Sequence, residues 1–129
     1  MKVRWTNQSI RFRITPTELA LLTRGASIGS TLSVPGGAWT VAIEAGDLTS
    51  IAMDDNVLRV TLSAFDCDEL AEPDREGVYF RADGENDIRY YIEKDFPCAH
   101  PRPPDAADPV TETFNPPAGF KLRHQTGCD

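Results

Sequence analysis

The chain has 129 residues, 40% of them hydrophobic and 26% charged, the make-up of one ordinary globular domain. Its longest apolar run, Leu19 to Leu22, falls far short of the roughly 20 residues a bilayer span needs, and Arg4, Thr6, Asn7, Gln8 and Ser9 break up the N-terminus. Neither a membrane-crossing helix nor a secretory leader is expected, and the chain reads as cytoplasmic.

The net charge of −7 is unevenly spread: residues 1–43 carry +4, residues 44–95 carry −10 and residues 96–129 carry −1. An acidic whole argues against general nucleic-acid and anionic-membrane binding. The basic N-terminal segment either pairs internally with acidic strands or offers a local patch to an acidic partner. Three cysteines, Cys67, Cys98 and Cys128, are too few and too odd in number for a disulfide framework, so reduced thiols are expected.

In chain order, Ile10, Phe12 and Ile14 alternate with Arg11 and Arg13, the period of a half-buried strand. Thr15 and Glu18 then form a capping box, with Pro16 at the first helical position and Ile14 able to staple to Leu19, predicting a helix from Pro16 to Arg24 that Gly25 stops. Residues 27–34 and the alternating Trp39, Val41 and Ile43 read as a hairpin about Pro35, Gly36 and Gly37. A second hairpin joins Ile51 and Met53 to Leu58, Val60 and Leu62 through Asp54, Asp55 and Asn56. Ser63 with Asp66 opens a second short helix ending near Glu72 and Pro73. Residues 78–82 and 87–94 make a third hairpin. No internal repeat of fixed period is evident.

Seven of the ten prolines lie between residues 97 and 117, which excludes helix and central strand there. The expectation is an α+β domain over residues 1–96, with a mainly antiparallel sheet of six to eight strands and two short helices. A Pro-rich tail, 97–129, follows it, either extended over the domain with Phe114, Phe120 and Leu122 as anchors or disordered. The expected core is Ile10, Phe12, Ile14, Leu19, Leu22, Trp39, Val41, Ile43, Leu58, Val60, Leu62, Phe80, Ile88, Tyr90 and Ile92.

Candidate chemistry is sparse. Cys98, His100, His124 and Cys128 are the ligand types zinc prefers, with iron the other candidate, but Cys-x-His is shorter than a finger knuckle. The Asp83–Asp87 run is the composition of a turn and fails the calcium-loop pattern. The acids Asp66, Asp68, Glu69, Glu72, Asp74 and Glu76 suit a solvated helix face better than an acid–base pair. Outside the tail there is no histidine to serve a nucleophile, and no phosphate-cradling glycine loop, so a hydrolase is not expected. Arg4, Trp5, Arg11 and Arg13 combine guanidinium groups with an aromatic ring and mark a candidate interaction face, against the simpler reading of cross-strand pairing with Arg89, Tyr91 and Glu93 or with Glu44.

The segment Ser9-Ile10-Arg11-Phe12-Arg13-Ile14-Thr15, together with Glu93-Lys94-Asp95-Phe96-Pro97-Cys98-Ala99-His100, resembles a family of small bacterial proteins known as a domain of unknown function. That resemblance implies a small standalone cytoplasmic protein and no assigned activity. The leading functional expectation is a non-enzymatic binding module for a protein partner or a second copy of itself, through an exposed sheet edge. The alternative is a small metal-binding protein.

Overall fold

The computed structural model describes residues 1–82, 84, 87–97 and 112–118. Its elements are β1 (Lys2–Trp5), β2 (Ser9–Ile14), α1 (Pro16–Thr23), β3 (Ile28–Val34), β4 (Gly37–Gly46), β5 (Ser50–Asp54), β6 (Val57–Ser63), α2 (Ala64–Ala71), β7 (Gly77–Ala82) and β8 (Ile88–Lys94). The caps form as the sequence dictates. Thr15 Oγ1 accepts from the Glu18 amide at 3.2 Å while Glu18 Oε1 accepts from the Thr15 amide at 3.0 Å. Gly25, at φ 86°, ends α1, and the Ala26 amide reaches back to the Leu21 carbonyl at 2.9 Å. Ser63 caps α2 through the Asp66 amide, and Thr49 hydrogen-bonds the Asp66 carboxylate from the turn before β5.

The expected single, mainly antiparallel sheet is corrected by the strand pairing. There are two four-stranded mixed sheets, the first in the order β1-β2-β8-β7 and the second β3-β4-β6-β5. In each, two antiparallel hairpins meet through their inner strands, β2 with β8 and β4 with β6, and those central pairs are parallel. The reason is directional: β2 and β6 both run into a helix, and each takes as neighbour the return strand of the hairpin that follows the other half's helix. β1 is a strand additional to those expected from the sequence.

The two sheets expose an internal repeat that the sequence did not. β1-β2-α1-β3-β4 and β5-β6-α2-β7-β8 have the same order of elements, and exchanging them maps the first sheet onto the second. Register makes the equivalence residue by residue. Arg4, Arg11, Tyr91 and Tyr79 lie side by side across the first sheet as Ala52, Arg59, Ala42 and Gly29 do across the second. The core obeys the same rule: Phe12 and Val60, Ile14 and Leu62, Leu22 and Leu70, Ile28 and Val78, Val41 and Tyr90, and Ile43 and Ile92 are equivalent and all buried. Burying side chains of this size contributes about 1.5–3 kcal/mol each, which is what holds the sheets face to face.

The core extends beyond the residues expected from the sequence and holds some of those less tightly. Ile28, Cys67, Leu70 and Val78 belong to it, while Leu19, Trp39, Leu58 and Phe80 are partly buried against it. Ile88, at the first position of β8, is also half-buried. The helices touch each other and follow the C-terminal ends of β2 and β6, closing that end of the two layers. At the opposite end the sheets stay open.

Part of the Pro-rich tail packs on the domain. Glu112 Oε1 accepts from the Thr17 amide at 2.8 Å, at the start of α1. The Phe114 amide donates to the Asp95 carbonyl at 2.9 Å, and the Phe114 and Phe96 rings lie 6.1 Å apart. Phe114 is thus an anchor; Phe120 and Leu122 fall outside the described residues.

Candidate functional site: a cationic and aromatic sheet face

The outer face of the first sheet is built by alternation. Because Val3, Ile10, Phe12, Tyr90 and Ile92 point into the core, their neighbours Arg4, Arg11, Arg13, Arg89, Tyr91 and Glu93 point away from it. From β7, Tyr79 and Arg81 join them, opposite Tyr91 and Arg89. Five guanidinium groups therefore share a surface on which the outward strand positions supply one carboxylate, Glu93.

The middle row is continuous. Arg11 Nε lies 2.6 Å from Glu93 Oε1, its guanidinium carbon is 5.5 Å from the centre of the Tyr91 ring, and Tyr91 and Tyr79 are 5.5 Å apart at 58°. Tyr79 is 55% exposed. Burial of its base, with the nearby Glu93 and Glu76 carboxylates, pushes its pKa up to about 12, so the hydroxyl stays a hydrogen-bond donor throughout the physiological range. At the rim, Arg81 pairs with Asp87 at 3.2 Å.

The second sheet serves as an internal control. At the positions equivalent to Arg4, Arg13, Arg81 and Arg89 it carries Ala52, Thr61, Thr31 and Thr40, and at those of Tyr79 and Tyr91 it carries Gly29 and Ala42. The ion pair alone is shared, since Arg59 and Glu44, equivalent to Arg11 and Glu93, also meet at 3.3 Å. A sheet of this fold stands with small neutral side chains on its outer face. The cationic and aromatic dressing of the first sheet is therefore an addition.

Of the residues expected to form an interaction face, Arg4, Arg11 and Arg13 come together here. Trp5 does not: it pairs with Ile10 and lies on the inner face, where it meets Trp39 edge to face at 5.4 Å. The expected internal pairing of the basic segment is also present, in Arg11 with Glu93 and Lys2 with Asp95 at 2.9 Å. Sequence reasoning had Arg89 and Tyr91 as pairing partners and missed Tyr79 and Arg81, although their alternation with Val78 and Phe80 carried the signal.

A polar node interrupts the symmetry at the helical end. Lys94 is 5% exposed and Asp95 4%, where the other half has Ala45 and Gly46. Lys94 Nζ donates to the Glu72 carbonyl at 2.6 Å and sits 5.6 Å from the Phe114 ring. Burial lowers its pKa, and Asp74 and Glu72 work against that shift. Since α2 has no basic residue in its last turn, Lys94 supplies the cation that closes its C-terminus. Two acids of α2 are likewise engaged structurally: the Asp66 carboxylate accepts from the capping Ser63 hydroxyl, and Glu69 forms an ion pair with Arg75.

Cys98, His100, His124 and Cys128 lie outside the described residues, as do Asp83, Glu85 and Asn86 of the acidic turn. Among the described residues no three His, Cys, Asp or Glu side chains gather as a metal site would require. Cys67 is a free, buried thiol whose pKa is raised by burial first and by Asp68 and Asp66 after it, the setting of an inert core cysteine. Among the described residues no helix is long and apolar enough to cross a membrane.

The fold and this face define an α+β chain of two interlocked ββαββ halves that presents one charged sheet surface. The chain belongs to a family of unknown function, DUF7009, whose pattern matches residues 1–115 and so takes in both halves and the Phe114 anchor. No curated protein and no solved structure matches it.

Proposed function

We propose that the protein is a non-enzymatic binding module that holds a short acidic segment of a protein partner on the outer face of its first sheet. The observation that supports this reading is the contrast between the two sheets: arginine and tyrosine stand on one face where equivalent positions of the other carry alanine, threonine and glycine. Guanidinium groups match carboxylates through paired, charge-assisted hydrogen bonds, and Arg and Tyr are the residues that most often carry binding energy at protein interfaces.

The choice of an acidic peptide over single-stranded nucleic acid follows from the ring geometry. Arg11 covers Tyr91 and Tyr79 is tilted against it, so the pair presents edges and a hydroxyl rather than flat platforms for bases. The chain's net charge of −7 also opposes a long polyanion. Strands of six and seven residues give a face about 20 Å long, enough for an extended segment of roughly six residues.

Fluorescence anisotropy with a labelled glutamate-rich peptide tests the reading. Binding by the native protein, weakened about tenfold or more in Arg4→Ala/Arg13→Ala/Arg89→Ala, is expected, because each lost charge-assisted bond is worth about 1.5–3 kcal/mol. Equal binding by the variant, or preference for a single-stranded oligonucleotide of equal charge, overturns it.

A further inference from the structure

At the end of the molecule away from the helices, the two sheets part around an apolar cleft of about 240 Å³. It is lined by Trp5, Ile10 and Ile88 of the first sheet and by Trp39, Ile51 and Leu58 of the second. Around it, the inward-facing line of each outer strand continues into the open. Leu32 stands opposite Trp39 and Met53 opposite Leu58, with Val34 at the end of β3. Trp5, Leu32, Val34 and Met53 are each more than half exposed, at 61%, 57%, 51% and 59%. Scattered exposed apolar residues are ordinary, but a continuous group around a cleft is a surface that something covers.

We propose that this apolar mouth is the contact by which two copies of the chain associate, mouth to mouth. Three observations select a second copy as the occupant. No residue lining the cleft is ionisable, and its hydroxyls, Thr6 and Ser9, already bond each other at 2.9 Å, so the cleft itself is matched to an apolar occupant.

Next, the mouth is built around the relation between the halves. Ile10 and Leu58 are equivalent residues, as are Ile88 and Trp39, so both halves contribute matching positions about one centre. A contact related by a two-fold axis requires a surface that complements itself. Finally, the area approaches what a reversible dimer needs. Trp5, Leu32, Val34 and Met53 together present on the order of 450 Å² of apolar surface, given that a large aromatic alone offers about 150–250 Å². Two such surfaces bury about 900 Å² before the cleft walls are counted, close to the lower bound of about 1,000–1,200 Å² for a specific, reversible association. This contact leaves the arginine face of the first sheet open, because that face is on the other side of β1 and β2.

Sedimentation velocity across micromolar to submillimolar concentrations tests the proposal. The native protein is expected to shift from monomer to twice the monomer mass, and tryptophan emission to move to longer wavelength on dilution as Trp5 meets water. Trp5→Glu and Met53→Glu, made separately, bring an unpaired charge into the contact and are expected to weaken the dimer by about hundredfold or more while far-UV circular dichroism is unchanged. Both side chains are more than half exposed in the single chain, so folding tolerates the changes. A native protein that stays monomeric throughout overturns the proposal. So do dimers that survive both substitutions, or a monomer whose tryptophan emission responds instead to a small apolar probe such as an aliphatic alcohol.

Discussion

Arg11 Nε lies 2.6 Å from Glu93 Oε1 across the junction of β2 and β8, although the residues are far apart in the chain. The same contact recurs between Arg59 and Glu44 across β6 and β4. Two ion pairs in equivalent places show how the molecule is assembled: each sheet takes one hairpin from each half, and the halves are fastened at the parallel central strands. Equivalence also separates scaffold from addition. What both sheets share holds the fold; what the first sheet alone carries asks for another explanation.

Because neither half owns a whole sheet, neither should fold alone. A chain divided after Asp47 gives fragments that each hold two hairpins belonging to different sheets. The expected result is that both fragments are largely unfolded by circular dichroism and regain native signal when mixed in equal amounts. A fragment folded by itself would show that each half has an independent core.

The ionisation of Tyr79 provides a pH signature. Its native pKa of about 12 lies above the ordinary 10.0, so the folded state holds its proton after the unfolded chain has released it. Its contribution to stability is complete below pH 10 and declines as the pH rises towards 12. Ultraviolet titration should show a tyrosinate step near pH 12 that is missing from Tyr79→Phe, and native stability should fall relative to that variant within this window.

Lys94 should matter through the helix it closes. Lys94→Met keeps the volume but removes the charged donor to the Glu72 carbonyl, leaving it the Arg75 amide at 3.0 Å, and an expected loss of about 1.5–3 kcal/mol follows, read by urea unfolding. No loss would mean that the ammonium gains nothing over its cost of burial.

Glu112 should tie the tail to α1 as a carboxylate. Its hydrogen bonds with Thr17 lower its pKa below the ordinary 4.5, so the tie is present above that value and is lost as the pH falls through the lowered one. In Glu112→Gln the Thr17 amide should exchange faster with solvent at neutral pH, measured by hydrogen exchange, with the rest of α1 unaffected.

The local rules were readable and the long-range ones were not. Thr15 with Glu18, Ser63 with Asp66, and the Asp54-Asp55-Asn56 turn announce themselves because cap and turn chemistry lies within a few residues, and Asp55 does take the positive φ of 52° that such a turn asks of it. Nothing near Ile10 says that it pairs with Tyr90. Parallel pairing between distant hairpins is selected by the whole core, which is why a mainly antiparallel sheet was the natural expectation.

The repeat was hidden by drift. Equivalent residues are 48 apart for Thr15 and Ser63, 50 for Ile28 and Val78, and 49 for Ile43 and Ile92, and few of the pairs are identical. Gly29 and Gly77 match at 48 yet are not equivalent in the fold. At the site, Trp5 could have been placed correctly from the alternation of Lys2, Val3, Arg4 and Trp5, which puts it opposite Arg4. The hairpin of β7 and β8 was legible, but its parallel union with β2, which adds Tyr79 and Arg81 to the arginines of β1 and β2, needed the topology.

The most direct test of the central claim is amide chemical-shift mapping of the labelled protein during titration with a glutamate-rich peptide. The account predicts saturable shifts confined to β1, β2, β8 and β7, strongest about Arg4, Arg11, Tyr91 and Tyr79, with β3, β4, β5 and β6 silent. Shifts spread equally over both sheets, or none at saturating peptide, would contradict it.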